Sequence, residues 1–295
     1  MSGSSTSNAA DRLALSVIIP CFNAAATLGE QLEALAAQRI DAPWEVIVAD
    51  NNSTDDPAAV VARFRDRLAV RLVPAAHDQG CAYARNVGAA HARGESLLFC
   101  DADDVVAPEW LARMHQALQC HEFVTGPVDP AALNDFVQAK RLRTEVRRWD
   151  YMPFLPHAIG GNMGIRRSLH EAVGGFDAAL KSAEDLDYSW RLQLEHGAEI
   201  HFVPDAVIYY RFRETLAQAF RQNVHNGEYT ALLYKKFLHK GLPRKTLKDG
   251  VREWYRLLRQ LPAARGPEAR ARWMRQFGMA AGRLKGSIKY RTLAL

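Results

Sequence analysis

Long apolar runs are missing from this 295-residue chain. Nowhere do roughly 18 uninterrupted apolar residues occur, the length a helix needs to cross a bilayer, so no membrane span is expected. Cysteine is scarce. Cys21, Cys81, Cys100 and Cys120 are scattered and lack the paired spacing of a zinc site or a disulfide framework. Cys21 and Cys100 adjoin strand-like runs, which suits buried thiols of a cytosolic protein. Residues 1–12, MSGSSTSNAADR, are polar and lack the basic region and apolar core of a secretory signal, so a disordered segment is expected there. No G-x-G-x-x-G follows the first strand-like run, and G-x-x-x-x-G-K-[ST] occurs nowhere, which weighs against dinucleotide and P-loop enzymes.

A hydrophobic content of 48% supports a sizeable core, enough for one large domain or one domain with an appendage. The net charge of +5 hides an asymmetry. Residues 235–295 hold 17 Lys and Arg against 3 Asp and Glu, and the remainder holds 21 against 30. An acidic body with a basic tail points to a tail that meets an anionic surface. LLYKKFLHKGLPRK and VREWYRLLRQL interleave basic and apolar residues at helical spacing, which suits phosphate-rich lipid headgroups. The alternative is a helical subdomain with its charges in water. No nucleic-acid-binding fold is recognised, and no nucleic-acid partner is expected.

Strand and helix patterns alternate along the first two hundred residues. Residues 13–20, 44–49, 69–74, 97–100 and 123–127 read as strands, and 200–210 as strand–turn–strand. Helical patterns begin at Thr27 and Glu30 and at Ser182 and Asp185, both with capping-box spacing, and at Asp56–Pro57 and Pro108. Leu186, Trp190 and Leu194 form a stripe on the helix over 182–196. Residues 80–92 form a small-residue helix, 139–149 a basic helix candidate, and 216–237 and 251–261 further helices. The phrase GGFD at 174–177 reads as a tight turn that buries Phe176. Such alternation predicts an α/β fold: a largely parallel sheet with helices on both faces, followed by a helical C-terminal extension.

The sharpest signal is SLLFCDADD at 96–104. An uncharged run suits a strand buried on both sides. Three carboxylates follow at once, at the carboxyl end of that strand, where open α/β sheets bind ligands. Carboxylates this close repel unless a cation or hydrogen-bond donors sit among them. A divalent metal and phosphate site is therefore expected at Asp101 and Asp103. An acidic turn capping the next helix is the plainer alternative, and Asp104 alone suits it.

Five blocks in fixed order carry a resemblance: SVIIPCFN (16–23), VADNNSTD (48–55), GCAYARNVGAAHARGE (80–95), FCDADD (99–104) and GGFDAALKSAEDLDYSWRL (174–192). In combination they resemble the family 2 type of inverting, nucleotide-sugar-dependent glycosyltransferases of GT-A fold, over roughly residues 13–215. The resemblance implies a glycosyltransferase domain over 13–215 and a basic helical region over 216–295. It further implies that Asp50 accepts a hydrogen bond from the nucleotide base, with Pro20, Phe22, Asn23 and Asn52 framing that pocket. Asp50 as a cap of the turn through DNNS is the local alternative. Arg85 is expected to face the donor diphosphate or to pair with the aspartates, and Asn86 to fix local backbone. Asp101 and Asp103 would hold Mg²⁺ or Mn²⁺ with the diphosphate. Asp185 would be the general base and Glu184 an acceptor-positioning residue, with Gly161 and Asn162 on the acceptor side. A carboxylate at a helix N-terminus has its pKa lowered, which opposes basicity. Asp187 and Arg191, at i and i+4, read as a helix ion pair.

Two departures qualify the likeness. Tyr210 stands where many relatives carry a metal-binding histidine, leaving Arg211 and Arg213 as candidates to share in neutralising phosphate. The Q-x-x-R-W signature of processive relatives is absent, so transfer of one or a few sugars is expected. The implied partners are a nucleoside diphosphate sugar and a glycan or lipid-linked acceptor of cell-surface polysaccharide or glycolipid synthesis. The implied place is the cytoplasm or the inner membrane face. The rival readings are a sugar-nucleotide nucleotidyltransferase, which needs a Gly-rich loop that PCFNAAATL does not supply, and an inactive glycan- or nucleotide-binding protein, supported only by Tyr210.

Overall fold

Uncharged, β-branched runs become the central strands of the structure, a computed structural model that describes residues 13–134, 147–149, 152–212, 215–261 and 266–294. The chain begins with β1 (Leu15–Cys21), α1 (Ala25–Ala36), β2 (Trp44–Asp50), α2 (Pro57–Ala62), β3 (Val70–Pro74), α3 (Cys81–His91) and β4 (Ser96–Cys100). Next come β5 (Val105–Val106), α4 (Trp110–Cys120), β6 (Phe123–Thr125), β7 (Val128–Asp129), β8 (Arg147–Trp149), β9 (Met152–His157), β10 (Asn162–Arg166) and α5 (Arg167–Ala172). Last come α6 (Glu184–His196), β11 (Ile200–Phe202), β12 (Ile208–Tyr209), α7 (Leu216–Phe237), α8 (Leu247–Gln260) and α9 (Pro267–Tyr290).

The main sheet has seven strands in the order β11-β6-β10-β4-β1-β2-β3. β1 runs parallel to β2 and β4, β2 to β3, and β11 to β6, whereas β10 runs antiparallel to both β4 and β6. Alternate residues serve opposite faces. Leu15, Val17, Ile19 and Cys21 of β1 join Leu28, Leu32 and Leu35 of α1 and Trp110, Leu111 and Met114 of α4. Ile18, Ile47 and Phe99 join Ala82, Ala84 and Ala89 of α3 and Tyr188 and Leu192 of α6. The expected mostly parallel sheet with helices on both faces is thus present. Cys21 and Cys100 are buried, as expected, while Cys120 is exposed.

Two compact units emerge: residues 1–147, 156–179 and 184–211 in the first, and 148–155, 180–183 and 212–295 in the second. In the second unit α7 and α9 cross at backbone contact distance. A Cβ at Gly282 or Gly286 would overlap the carbonyl oxygens of Val224 or Glu228. Glu228, 4% exposed, receives Lys285 at 2.7 Å and Lys289 at 2.5 Å. No helix among the described residues is long and apolar enough to cross a membrane.

Several local expectations are corrected. Thr27 and Glu30 form no capping box: the Thr27 hydroxyl donates to the Ala24 carbonyl at 3.3 Å, and the Ala25 amide donates to Asp55 Oδ2 at 2.7 Å. Asp56 does cap α2, accepting from the Ala59 amide at 2.9 Å, with Pro57 first in the helix. Pro108 lies two residues before α4 rather than opening it. The Ser182 hydroxyl donates to Asn226 Oδ1 at 2.7 Å and forms no box with Asp185. Leu194 is 41% exposed, off the buried stripe of Leu186 and Trp190. The basic helix candidate falls largely outside the described residues, and its last three, 147–149, form strand β8. The disordered-segment expectation at 1–12 also lies outside them.

Candidate functional site

Every residue of β4 is buried, and the chain leaves it directly into Asp101, Ala102, Asp103 and Asp104. The loop's backbone is held from two sides. Gln31, fully buried on α1, donates from Nε2 to the Asp101 carbonyl at 3.1 Å and accepts from the Val106 amide at 3.0 Å. Arg211 donates from Nε to the Asp103 carbonyl at 3.0 Å and from Nη2 to Glu30 Oε2 at 2.7 Å. Its amide donates to Asp104 Oδ1 at 2.9 Å. Asp104, 2% exposed, therefore orients the loop rather than capping α4. Arg213 lies outside the described residues.

Arg85 joins the two carboxylate groups of the chain. From α3 its Nη2 donates to Asp101 Oδ1 at 2.9 Å and its Nη1 to Glu184 Oε1 at 2.8 Å. The side chain is 3% exposed, against 30% for Asp101 and 12% for Glu184. Phe176, buried by the GGFD turn as expected, lies with its ring centroid 5.5 Å from the guanidinium carbon. Asn86, one residue on, brackets Phe176 through its amide and carbonyl at 2.8 and 2.7 Å and so fixes local backbone. Burial alone would lower the Arg85 pKa, but Cys81, Asp101, Glu184 and Asp185 outweigh it and raise it. A fixed cation at this depth stays charged because it is paired twice.

The reversed strand β10 brings the glycines to this junction. Its register sets Asn162 opposite Cys100, which lays Gly161 beside Asp101. A Cβ on Gly161 would stand 2.6 Å from Asp101 Oδ2, and one on Gly160 would stand 3.0 Å from Arg85 Nη1. Only residues without side chains admit the ion pair here. The Gly160 amide donates to Asp185 Oδ2 at 3.2 Å. Asn162, fully buried, accepts from Trp110 Nε1 at 2.8 Å and donates to the Pro127 and Ala206 carbonyls at 2.8 and 2.9 Å. Its side-chain amide is committed inside the fold, where it braces the strand that follows Gly161.

Glu184 and Asp185 open α6 after Ala183, which has a positive φ of 59°. Asp185 Oδ1 accepts from the Leu186 amide at 2.9 Å. Burial raises the pKa of both carboxyls, with Arg85 and backbone donors acting in the opposite sense. The helix N-terminus therefore does not hold Asp185 low, as its sequence position suggests; desolvation prevails. Further along, the expected Asp187–Arg191 pair is present at 2.7 Å, and Arg191 also donates to the Val173 and Gly175 carbonyls, bracing the GGFD turn.

The loops after β1 and β2 are tied into one cradle. Cys21 is opposite Asp50 in the β1–β2 register. Asp50 Oδ1 accepts from the Ser53 amide at 3.1 Å, so it does cap the DNNS turn with that oxygen. Asn23 accepts from the Thr54 amide at 2.7 Å, while its own amide donates to Ser53 Oγ at 3.1 Å. Asn52 donates to the Ala76 carbonyl at 3.0 Å, and Phe22, following Pro20 and Cys21, is 50% exposed. Sequence reasoning missed Asn51. It donates to the Ala75 and Asp78 carbonyls and accepts from the Gly80 amide at 2.7 Å, fixing the entry to α3. It also missed Gln31. Gln31 interrupts the apolar stripe of α1, and Gln38 follows two residues past the helix end; both are buried, and they hold the loop and helix that follow Asp101. That interruption was a readable signal.

The carboxylate oxygens of Asp101 and Asp103 are hard donors of the type that suits Mg²⁺ or Mn²⁺. Among the described residues no group of three or more His, Cys, Asp or Glu is gathered for a cation. Tyr210 donates its amide to the Asp129 carbonyl at 2.9 Å, and its carbonyl accepts from Asn134 at 2.7 Å.

Comparison with known proteins agrees with this geometry. Residues 16–174 match the family model described as glycosyl transferase family 2. An uncharacterized glycosyltransferase of Haemophilus influenzae is 28% identical over 210 residues, covering 67% of this chain and 68% of its own. A UDP-Glc:alpha-D-GlcNAc-diphosphoundecaprenol beta-1,3-glucosyltransferase of Escherichia coli is 31% identical over 102 residues, 35% of this chain and 38% of its own. Among solved structures, a Pyrobaculum calidifontis mannosyltransferase in complex with GDP-Man and Mn²⁺ superposes with a TM-score of 0.65 at 22% identity. It covers 93% of this chain and 87% of its own.

Proposed function

The chain belongs to glycosyl transferase family 2, and from that premise we propose that it moves a sugar from a nucleoside diphosphate sugar to a hydroxyl of a glycan or lipid-linked acceptor, inverting the anomeric carbon. One observation carries this reading. Arg85 ties Asp101, at the end of β4, to Glu184 at the head of α6, so a donor-side and an acceptor-side carboxylate share one buried cation. The cradle of Asp50, Asn23, Asn52, Pro20 and Phe22 takes the nucleoside, and Asp101 and Asp103 face its diphosphate. Asp101 and Asp103 would hold a divalent cation there, which would supply positive charge to the departing nucleoside diphosphate. Asp185 takes the acceptor hydroxyl's proton while that oxygen bonds to the anomeric carbon and the diphosphate oxygen leaves with the bonding pair, so a single displacement inverts the centre. A desolvated carboxylate with a raised pKa is the better base. Glu184, held by Arg85, orients the acceptor. The acceptor class is supported by the lipid diphosphate substrate of the Escherichia coli relative.

Replacing Asp185 with Asn leaves donor binding intact and lowers turnover by about 10³-fold. Thermal shifts with UDP-, GDP- and dTDP-sugars, with and without Mn²⁺, supply the binding measurement. Wild-type turnover in Asp185→Asn overturns the mechanism. Stripping divalent ions with EDTA is expected to abolish the donor-induced shift and transfer together, and Mn²⁺ to restore both; a shift and turnover indifferent to EDTA overturn the metal role.

A further inference from the structure

Helix α8 turns its greasier side outward. Leu247, Val251, Tyr255 and Leu258 are 61–68% exposed. At about 100° of turn per residue these four fall within an arc of about 80°. The buried side is slight, consisting of Gly250 and Leu257. It is nonetheless well pinned. Trp273 Nε1 donates to the Leu257 carbonyl at 2.8 Å, the Trp254 ring meets Phe277 edge-on, and Glu253 pairs with Arg283. The helix therefore cannot roll to hide its stripe. An amphipathic helix of a globular unit ordinarily does the reverse, and an exposed apolar strip of this length marks a surface that another body covers.

Charge decides which body. Lys248, Arg252, Arg256 and Arg259 are exposed and fill the next arc of about 80°, directly beside the stripe. The Arg259 guanidinium lies 5.8 Å from the Tyr255 ring centroid, so the two arcs meet. The acids of the helix leave the row largely cationic: Asp249 closes a capping box with Thr246 and meets Arg252 at 3.9 Å, while Glu253 holds Arg283. An apolar band with a row of cations along one edge fits a layer that is oily below and anionic above. We propose that this face of α8 docks on an anionic lipid membrane, with the helix axis along the surface. Leu247, Val251, Tyr255 and Leu258 enter the acyl boundary, and the four basic residues sit at the level of the lipid phosphates. This inference stands apart from the sugar-transfer reading and survives its failure.

Flotation of the full chain with vesicles tests it. The protein floats with phosphatidylcholine vesicles that contain phosphatidylglycerol, stays behind with phosphatidylcholine alone, and is released by high salt. Val251→Asp with Leu258→Asp, both exposed, weakens binding roughly hundredfold. Arg252→Gln with Arg259→Gln, which leaves the stripe intact and serves even if the aspartates disturb folding, weakens it at least tenfold, about a kcal/mol per charge lost. Three results overturn the proposal: no flotation of the wild type at low salt; undiminished flotation of both double variants; or a wild-type dimer that the aspartate pair dissolves, with no lipid binding, which gives the face to a second copy of the chain.

Discussion

At the scale of single residues, the site depends on what is absent as much as on what is present. Gly161 leaves room for Asp101, and a methyl group there would crowd its Oδ2 at 2.6 Å. Gly161→Ala is expected to displace Asp101, the hydrogen bond from Arg85 with it, and to cut kcat/KM by about 10²-fold while the fold survives. Kinetics together with circular dichroism checks this; undiminished kcat/KM refutes the crowding argument. The carboxylates and the motif glycines were legible in the sequence because chemistry names them: acidic pairs at a strand end have few other uses. The reach of Arg85 was not legible. Whether a guanidinium faces phosphate or two carboxylates depends on partners 16 and 99 residues away. The same holds for the basicity of Asp185, where tertiary burial overrides the local helix field.

Elements were readable where pattern and cap agree, as at α2 with Asp56 and Pro57, and misread where spacing alone was used, as at Thr27 and Ser182. A hydroxyl three residues ahead of a carboxylate caps only if no better partner intervenes, and the Ala24 carbonyl and Asn226 intervene. The two small β-sheets were not foreseen either. Strands of two residues, such as β5, β7 and β12, carry too little pattern, and in β8 and β9 the basic and proline-rich sequence hides the alternation. The crossing of α7 and α9 yields the prediction proper to this scale. Gly282→Val forces a side chain onto the Val224 carbonyl and is expected to cost about 2–3 kcal/mol. Urea unfolding followed by tryptophan fluorescence measures it, since Trp254 and Trp273 report on the same unit. A change under half a kcal/mol would mean the helices can part without loss.

For the molecule as a whole, pH should act through a buried histidine. His170, packed by Phe99, Phe176 and Tyr188, has its pKa lowered to about 4 by burial and by Arg191 and Arg167. Its folded pKa lies below the unfolded value, so the stability it gives is complete above the unfolded value of about 6.5. That stability drains away as pH falls towards 4. Between pH 7 and pH 5 the loss is about 2 kcal/mol. Glu184 and Asp185, with raised values, pull the other way, so the comparison must be between wild type and His170→Gln, whose unfolding free energy should vary with pH by that much less. Equal pH slopes for the two proteins would remove His170 as the sensor.

The tie between Arg85 and Glu184 spans 99 positions of the chain. On the proposed roles, a polypeptide leaving the ribosome therefore carries the residues of its nucleotide cradle long before it owns a base. Until Glu184 emerges and swings back to the third helix, the Arg85 guanidinium lacks one of its two carboxylate partners, so this junction closes only after about a third of the protein has been made beyond it.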